Sequence, residues 1–368
     1  MRILFVITGL GMGGAERQVC DLADKLSDKR NEVEIVSLVG SVVTSPKNKQ
    51  ISLRSLYTKK NPFSLLFAFY RLRRIIKNFQ PDVVHAHMVH ANILTRLVRL
   101  ITKIPVLIST AHSKNEGGSI RMLAYRLTDS LSDISTNVSQ DAVDNFIYLK
   151  ASSQNKMIPM YNGIDTDKFV FSEFDREEYR KKLGIASDKI LLLAVGRLTK
   201  EKDYPTLLTS FSHIIKNLPA ELAIIGTGPL ESELKELAQN LNVSNKLHWL
   251  GLQHNVEKWM SACDIFVLSS EWEGFGLVVA EAMSCERIVI STDSGGVKEV
   301  IGNDYFIVPV KDNNKLEEKI REIIILKDDD KKEIRSKNRE WIINRFSLDA
   351  SVKKWIDLYK KYLGVTSN

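Results

Sequence analysis

Two successive runs of alternating strand and helix patterns constrain this chain more than any other feature. The first run contains the apolar segments RILFVIT, EVEIVSLV, DVVHAH, PVLIST and DISTNVS. The second starts at KILLLAVG and continues through AELAIIG, LHWLG, DIFVLSS, RIVIST and YFIVP. Short, continuously apolar runs read as strands buried on both faces, and the helical segments between them supply parallel crossovers. Each run therefore predicts a doubly wound α/β domain with helices on both sides of its sheet. At 368 residues the chain is large for a single core, so two domains are the natural division. The expected bounds are 1–168 and 169–346, joined around residues 165 to 185 by the turn-rich MIPMYNGIDTDKF and the charged SEFDREEYRKKLGI. A closing amphipathic helix, about 347–364, places Val352, Trp355, Ile356 and Tyr359 on one face.

The first strand runs into ITGLGMGGAE, where Gly9, Gly11 and Gly14 fit G-x-G-x-x-G. Such a loop permits a tight turn and close backbone approach to a ligand. A dinucleotide site also needs an acid near the end of the next strand to hold the ribose. Here that strand ends in Leu38, Val39 and Gly40, and Glu34 comes too early. The glycines therefore serve another ligand, or tight strand-to-helix packing alone.

The formal net charge is +7, unevenly distributed. From Lys47 to Lys103 there are twelve Lys or Arg and a single acid, Asp82. Within this window NPFSLLFAFYRLRRIIKNF sets Phe63, Leu66, Phe67, Phe69 and Tyr70 beside Arg71, Arg73, Arg74 and Lys77. A basic helix carrying aromatics suits an anionic membrane surface; it is equally readable as a core helix with a solvated basic face. No nucleic-acid recognition motif accompanies the charge, so nucleic acid is not an expected partner. Cys20, Cys263 and Cys285 form neither a metal spacing nor a disulfide framework, which fits a reducing compartment. No apolar run approaches the ~20 residues that span a bilayer, and the chain opens on a strand without a signal-peptide pattern. The expected location is cytoplasmic, peripheral at the inner face of the cell membrane.

In doubly wound sheets ligands bind at the carboxyl ends of the strands. In the second domain those ends carry AVGRLTKEKDY, IIGTGP and LSSEWEGFGLVVAEAM. Arg197 and Lys202 can neutralise a diphosphate, one by a planar fork and the other as a point charge. Gly274 and Gly276 lead into a helix opening near Leu277, whose free amides and dipole favour an anion. Glu273 and Glu281 flank that helix start and can accept bonds from hydroxyls. Taken singly, these are surface charges, an exposed helix residue and an ordinary turn. Taken together, they converge where one ligand could meet them all.

GRLTKEKDY, GTGP, EGFGLVVAEAM and SGGVKEV resemble the retaining glycosyltransferases of family 4, which have the two-Rossmann GT-B fold. The Glu-x7-Glu pair Glu273 and Glu281 matches that group's signature. GGAER, PDVVHAH, STAHS, YNGIDTDKF and the terminal segment match in order, so the resemblance spans nearly the whole chain. It implies two Rossmann-like domains facing across a cleft, with the C-terminal helix crossing back to the first. It implies a nucleotide-diphosphate sugar donor, with Arg197 and Lys202 on the diphosphate and Leu277 and Val278 offering amides beside Gly276. Glu281 would hold the ribose and Glu273 the transferred sugar. Gly13 and Gly14 would bring backbone near the phosphates, and His112 would lie near the reacting centre. The expected acceptor is a glycan on a polyprenyl diphosphate, as in surface-polysaccharide assembly, with no metal required. A His-x-His-x2-His set (His85, His87, His90) could suggest a metal, but His85 is expected to end a strand. Asp165 and Asp167 read as turn and linker residues. The rival readings are another GT-B synthesis such as sucrose or glycogen, a nucleotide-dependent oxidoreductase or epimerase, and a non-catalytic nucleotide-sugar binder.

Overall fold

The computed structural model describes residues 1–58, 61–114 and 116–365. The chain divides into two compact units, Met1–Gly163 with Leu348–Asn368, and Ile164–Ser347.

The first unit is built on seven strands: β1 (Arg2–Ile7), β2 (Glu32–Ser37), β3 (Ser52–Ser55), β4 (Val83–His87), β5 (Val106–Ala111), β6 (Ile134–Asn137) and β7 (Met157–Pro159). Their order is β3-β2-β1-β4-β5-β6-β7, and each neighbouring pair is parallel. Strand β1 shows why the sequence is apolar without alternation. Ile3, Phe5 and Ile7 face a core completed by the helix Gly14–Asp28 and the C-terminal helix Leu348–Leu363. Leu4 and Val6 face the opposite core, under the helices Pro62–Phe79 and Val89–Arg99. Two strands escape the sequence reading. β3 is short and polar, and β7 lies inside the turn-rich MIPMYNGIDTDKF; both are kept in the sheet by backbone pairing rather than by their own apolar pattern.

The C-terminal helix belongs to this first unit. Val352, Trp355 and Tyr359 are buried in its core. Ile356 packs at the margin.

The second unit contains β8 (Ile190–Val195), β9 (Ala220–Ile225), β10 (Leu247–Gly251), β11 (Ile265–Leu268), β12 (Ile288–Thr292) and β13 (Ile307–Val308). They form a parallel sheet in the order β10-β9-β8-β11-β12-β13. The charged segment after Ser172 is a helix of this unit, Glu173–Leu183, not a free linker. Arg176 and Arg180 both bind Asp264, at 2.5 and 3.1 Å, which ties that helix to the start of β11. Asp165 makes the preceding turn, its carboxylate accepting from the Lys168 amide at 3.1 Å.

Truncating Trp355 to Ala is expected to cost about 3–5 kcal/mol in urea unfolding, as for other buried tryptophans. A loss below about 1 kcal/mol would show that the terminal helix is not part of the first core.

Candidate functional site

In the second unit, β8 and β9 end side by side and their exits lock together. The Gly196 amide donates to Ile225 O (2.9 Å) and the Leu198 amide to Thr227 O (3.1 Å). Gly226 has φ +143°, and a Cβ there would fall 1.9 Å from Gly196 O. The GTGP turn thus requires glycine for both conformation and space. The phenol of Tyr204 donates to Gly196 O at 3.0 Å, and burial raises its pKa, so it remains a donor. Arg197 leaves this turn exposed. Lys202 ends a single 3-10 turn, Lys200–Lys202, and Asp203 caps the helix that follows.

Strand β11 leads to the other half of the site. Ser269 Oγ donates to Lys202 O at 2.9 Å, and the Glu271 amide donates to Glu201 O at 2.8 Å. The β8 and β11 loops are thereby joined. Glu273 accepts from Ser270 Oγ at 2.7 Å and forms a close ion pair with Lys202 Nζ. Its amide donates to Ser294 O, which places SGGVKEV alongside. Lys202 and Glu273, proposed from separate motifs, are therefore in direct contact. Gly276, with φ +83°, turns the chain into the helix Leu277–Ser284 and provides no side-chain cap. The Val279 and Ala280 amides fold back on Gly276 O, leaving those of Leu277 and Val278 for a ligand. Glu281 lies in the second turn, buried.

In the first unit, Gly13 starts the helix Gly14–Asp28, again without a side-chain cap. The dinucleotide alternative loses its remaining acid here: Glu34 is paired across the sheet with Arg54 at 3.0 Å. His112 follows β5 and lines a cavity of about 450 Å³ with Thr8, Met88, His90, Glu116 and Arg121. Met88 adopts φ 70°, ψ 156° at the start of the helix Val89–Arg99. A non-glycine residue in that region is strained, and such strain gathers at functional sites.

Two neighbours of His112 were not read as part of its site: Glu116 was not singled out, and His87 was weighed only in a metal set. His87 Nδ1 is 3.0 Å from His112 Nε2. Glu116 accepts from the His112 amide at 2.8 Å and from Tyr125 OH at 2.6 Å, while burial raises its pKa. The HAH spacing contained the first signal, because residues two apart on a strand share a face. The strand continues through His87, so His85 does not end it. Instead His85 is fully buried between Tyr359 OH (2.8 Å) and Thr110 Oγ1 (2.6 Å). Among the described residues no group of three His, Cys, Asp or Glu is placed to hold a metal.

The basic helix also resolves. Asn61 caps it, accepting from the Ser64 amide at 2.8 Å. Ala68, Leu72 and Ile76 are buried, whereas Phe63 (77%), Phe67 (67%) and Tyr70 (55%) are exposed. The helix Ser119–Thr128 likewise exposes Ile120 (83%) and Leu127 (73%). These aromatics are not core residues. No helix among the described residues is long and apolar enough to cross a membrane.

Fold and site together define a two-domain α/β protein whose second domain gathers cations, glycine turns and open helix amides at the carboxyl ends of its strands. The family Glycosyltransferase Family 4 matches residues 12–168, and the family Glycosyl transferases group 1 matches residues 175–341. The chain belongs to the glycosyltransferases composed of these two domains. It is 28% identical to the Campylobacter jejuni N-acetylgalactosamine-N,N'-diacetylbacillosaminyl-diphospho-undecaprenol 4-alpha-N-acetylgalactosaminyltransferase, over 90% of this chain and 92% of that one. It is 27% identical to the Escherichia coli UDP-Gal:alpha-D-GlcNAc-diphosphoundecaprenol alpha-1,3-galactosyltransferase, over 78% and 77%. Among solved structures, a glycosyltransferase from Rickettsia africae has a TM-score of 0.89 at 24% identity, covering 99% of both chains. Anabaena HepE in complex with UDP has 0.85 at 19% identity, covering 98% of this chain and 100% of that one. These neighbours share the GT-B fold.

The buried histidines give a pH dependence. Burial pushes the His112 pKa down to about 4, and holds His85 and His87 well below the usual imidazole range. Free imidazoles protonate near pH 6.5. Between roughly pH 6.5 and 4 the unfolded chain therefore binds more protons than the native one, and stability falls as pH drops through that window. Urea unfolding at pH 7.5 and pH 5 should show this loss, by up to about 1.4 kcal/mol per pH unit for each such histidine. His112→Asn should flatten the slope; an unchanged slope would contradict the assignment.

Proposed function

We propose that this glycosyltransferase moves a hexosyl or N-acetylhexosaminyl group from a UDP-sugar to a hydroxyl of a polyprenyl-diphosphate-linked glycan, with retention of configuration. The observation that carries the donor half is the joining of the β8 and β11 loops, which brings Lys202 and Glu273 together beside the open amides of Leu277 and Val278. Arg197, Lys202 and those amides would hold the diphosphate. They lower the charge that develops on the leaving group, work that consists of positioning and electrostatic stabilisation. Glu281 would accept from the ribose hydroxyls and Glu273 from the sugar. The bond from the anomeric carbon to the diphosphate breaks while the acceptor oxygen bonds on the same face. The acceptor proton passes to the departing phosphate oxygen.

The Lys202–Glu273 ion pair gives this site a second property. A donor diphosphate must compete with Glu273 for the ammonium, so sugar contact by Glu273 and phosphate contact by Lys202 are coupled. Arg197, exposed on the same loop as Lys202, would add the bidentate contact.

The acceptor half rests on the Campylobacter and Escherichia relatives, both of which act on undecaprenyl-diphosphate-linked sugars. It also rests on the exposed Phe63, Phe67 and Tyr70 of the helix Pro62–Phe79 and on Arg71 and Arg74, exposed on the same helix. A lipid-linked acceptor has to be met at a membrane, and each Lys or Arg near an anionic surface contributes about 1 kcal/mol.

Arg197→Ala and Lys202→Ala should each weaken UDP binding by about 1.5–3 kcal/mol, the worth of one charge-assisted contact. Calorimetry with UDP checks this, and unchanged affinity in both variants would remove the diphosphate assignment. Turnover of nucleotide sugar should survive excess chelator, because the cations and amides take the place of a divalent metal. Loss of turnover on chelation, with recovery on adding magnesium, would contradict that reading. In co-sedimentation the protein should bind vesicles containing anionic lipid, less so as salt rises. Replacing Arg71, Arg73 and Arg74 with Glu should abolish binding while UDP-sugar hydrolysis continues. Equal binding to neutral vesicles would rule out electrostatic docking.

A further inference from the structure

His87 is buried at the end of β4, with its ring 4.0 Å from that of His85 and 5.5 Å from that of Phe5, centroid to centroid. Its two nitrogens have different surroundings. Nδ1 meets His112 Nε2 at 3.0 Å, whereas Nε2 is enclosed and has no hydrogen-bond partner among the described residues. Both imidazoles are kept neutral by burial. One proton therefore lies between His87 Nδ1 and His112 Nε2, and either ring could supply it.

If His112 supplied it, neutral His87 would carry its own proton on Nε2, as an N–H sealed away from any acceptor. Buried N–H groups without an acceptor are the scarcer arrangement in folded proteins. If His87 supplies it, Nε2 is left as a bare lone pair, and the His112 proton sits on Nδ1. On the same side of the cavity, Glu116 accepts from the His112 backbone amide at 2.8 Å. Arg121, on the same cavity, is turned to the Glu116 carbonyl, to which it donates at 2.9 Å.

We propose that His87 is a positioning residue: it donates Nδ1–H to His112 Nε2 and so holds His112 as the Nδ1–H tautomer, a neutral hydrogen-bond donor on the cavity wall. His112 then cannot serve as the base for an acceptor hydroxyl, because the nitrogen that carries a lone pair is already occupied by His87. Its task is to donate to a substrate oxygen. The tautomer rests on this geometry alone; the donation to a sugar or acceptor oxygen rests on the proposed function.

Long-range proton–nitrogen correlation spectra of the full chain labelled with [15N]histidine test the tautomer directly, with His112 assigned by its loss in His112→Asn. Wild-type His112 should show a protonated Nδ1 and an unprotonated Nε2; the reverse would overturn the proposal. In His87→Leu, His112 should revert to the Nε2–H form that free neutral imidazole side chains prefer. In His87→Asn, whose amide can place a donor where Nδ1 stood, the Nδ1–H form should return. An Nδ1–H form that persists in His87→Leu would also overturn it. Nucleotide-sugar turnover should fall roughly 10-fold in His87→Leu, the worth of one hydrogen bond, and recover in His87→Asn, with KM for the donor little changed. A switched tautomer with unaltered turnover would leave the positioning intact and refute the substrate role given to His112.

Discussion

Parallel pairing is the constraint on which the rest of this structure depends. In a parallel ladder every strand delivers its carboxyl end to the same edge, and every chain must leave that edge through a loop. Those loops begin with unpaired backbone groups that cannot be buried unsatisfied. In the second unit they satisfy one another: Gly196 with Ile225, Leu198 with Thr227, Glu271 with Glu201, and Glu273 with Ser294. The interlocking leaves Lys202 against Glu273 and keeps the first amides of the helix Leu277–Ser284 open. A charged site is thus a by-product of the way the sheet ends, refined by residues of the right sign.

The first unit applies the same rule to different chemistry. The ends of β4 and β5 carry His87 and His112 in place of cations, and His85, inside β4, packs against the terminal helix through Trp355 and Tyr359. Their burial makes them poor bases and neutral partners. The C-terminal helix therefore does more than close the core: Tyr359 binds His85, whose ring lies against that of His87.

Most of the fold was legible from apolar periodicity because both sheets are covered on two faces, which makes their strands continuous apolar runs. β3 and β7 were not legible; SLRS carries no apolar run and MIP is three residues long, so only a neighbour's ladder defines them. The residues of the β8 and β11 loops could be read because glycine, cation and acid sit within a few positions of recognisable strand ends. His87 and Glu116 were harder. Their roles depend on which side chains meet across strands and loops, and one sequence does not show this. The exposure of Phe63 and Phe67 was likewise undecidable from pattern alone, since a basic aromatic helix reads equally as core or as surface.

In the function proposed, the second unit holds the diphosphate of a nucleotide sugar at the carboxyl ends of β8 and β11. A crystal structure of the complex with a UDP-sugar tests it most directly. Phosphate oxygens should lie within hydrogen-bonding distance of the Leu277 and Val278 amides, with Arg197 and Lys202 on the same phosphates and the ribose on Glu281. A nucleotide bound elsewhere, or one that leaves Lys202 paired with Glu273 and those amides facing water, would contradict it.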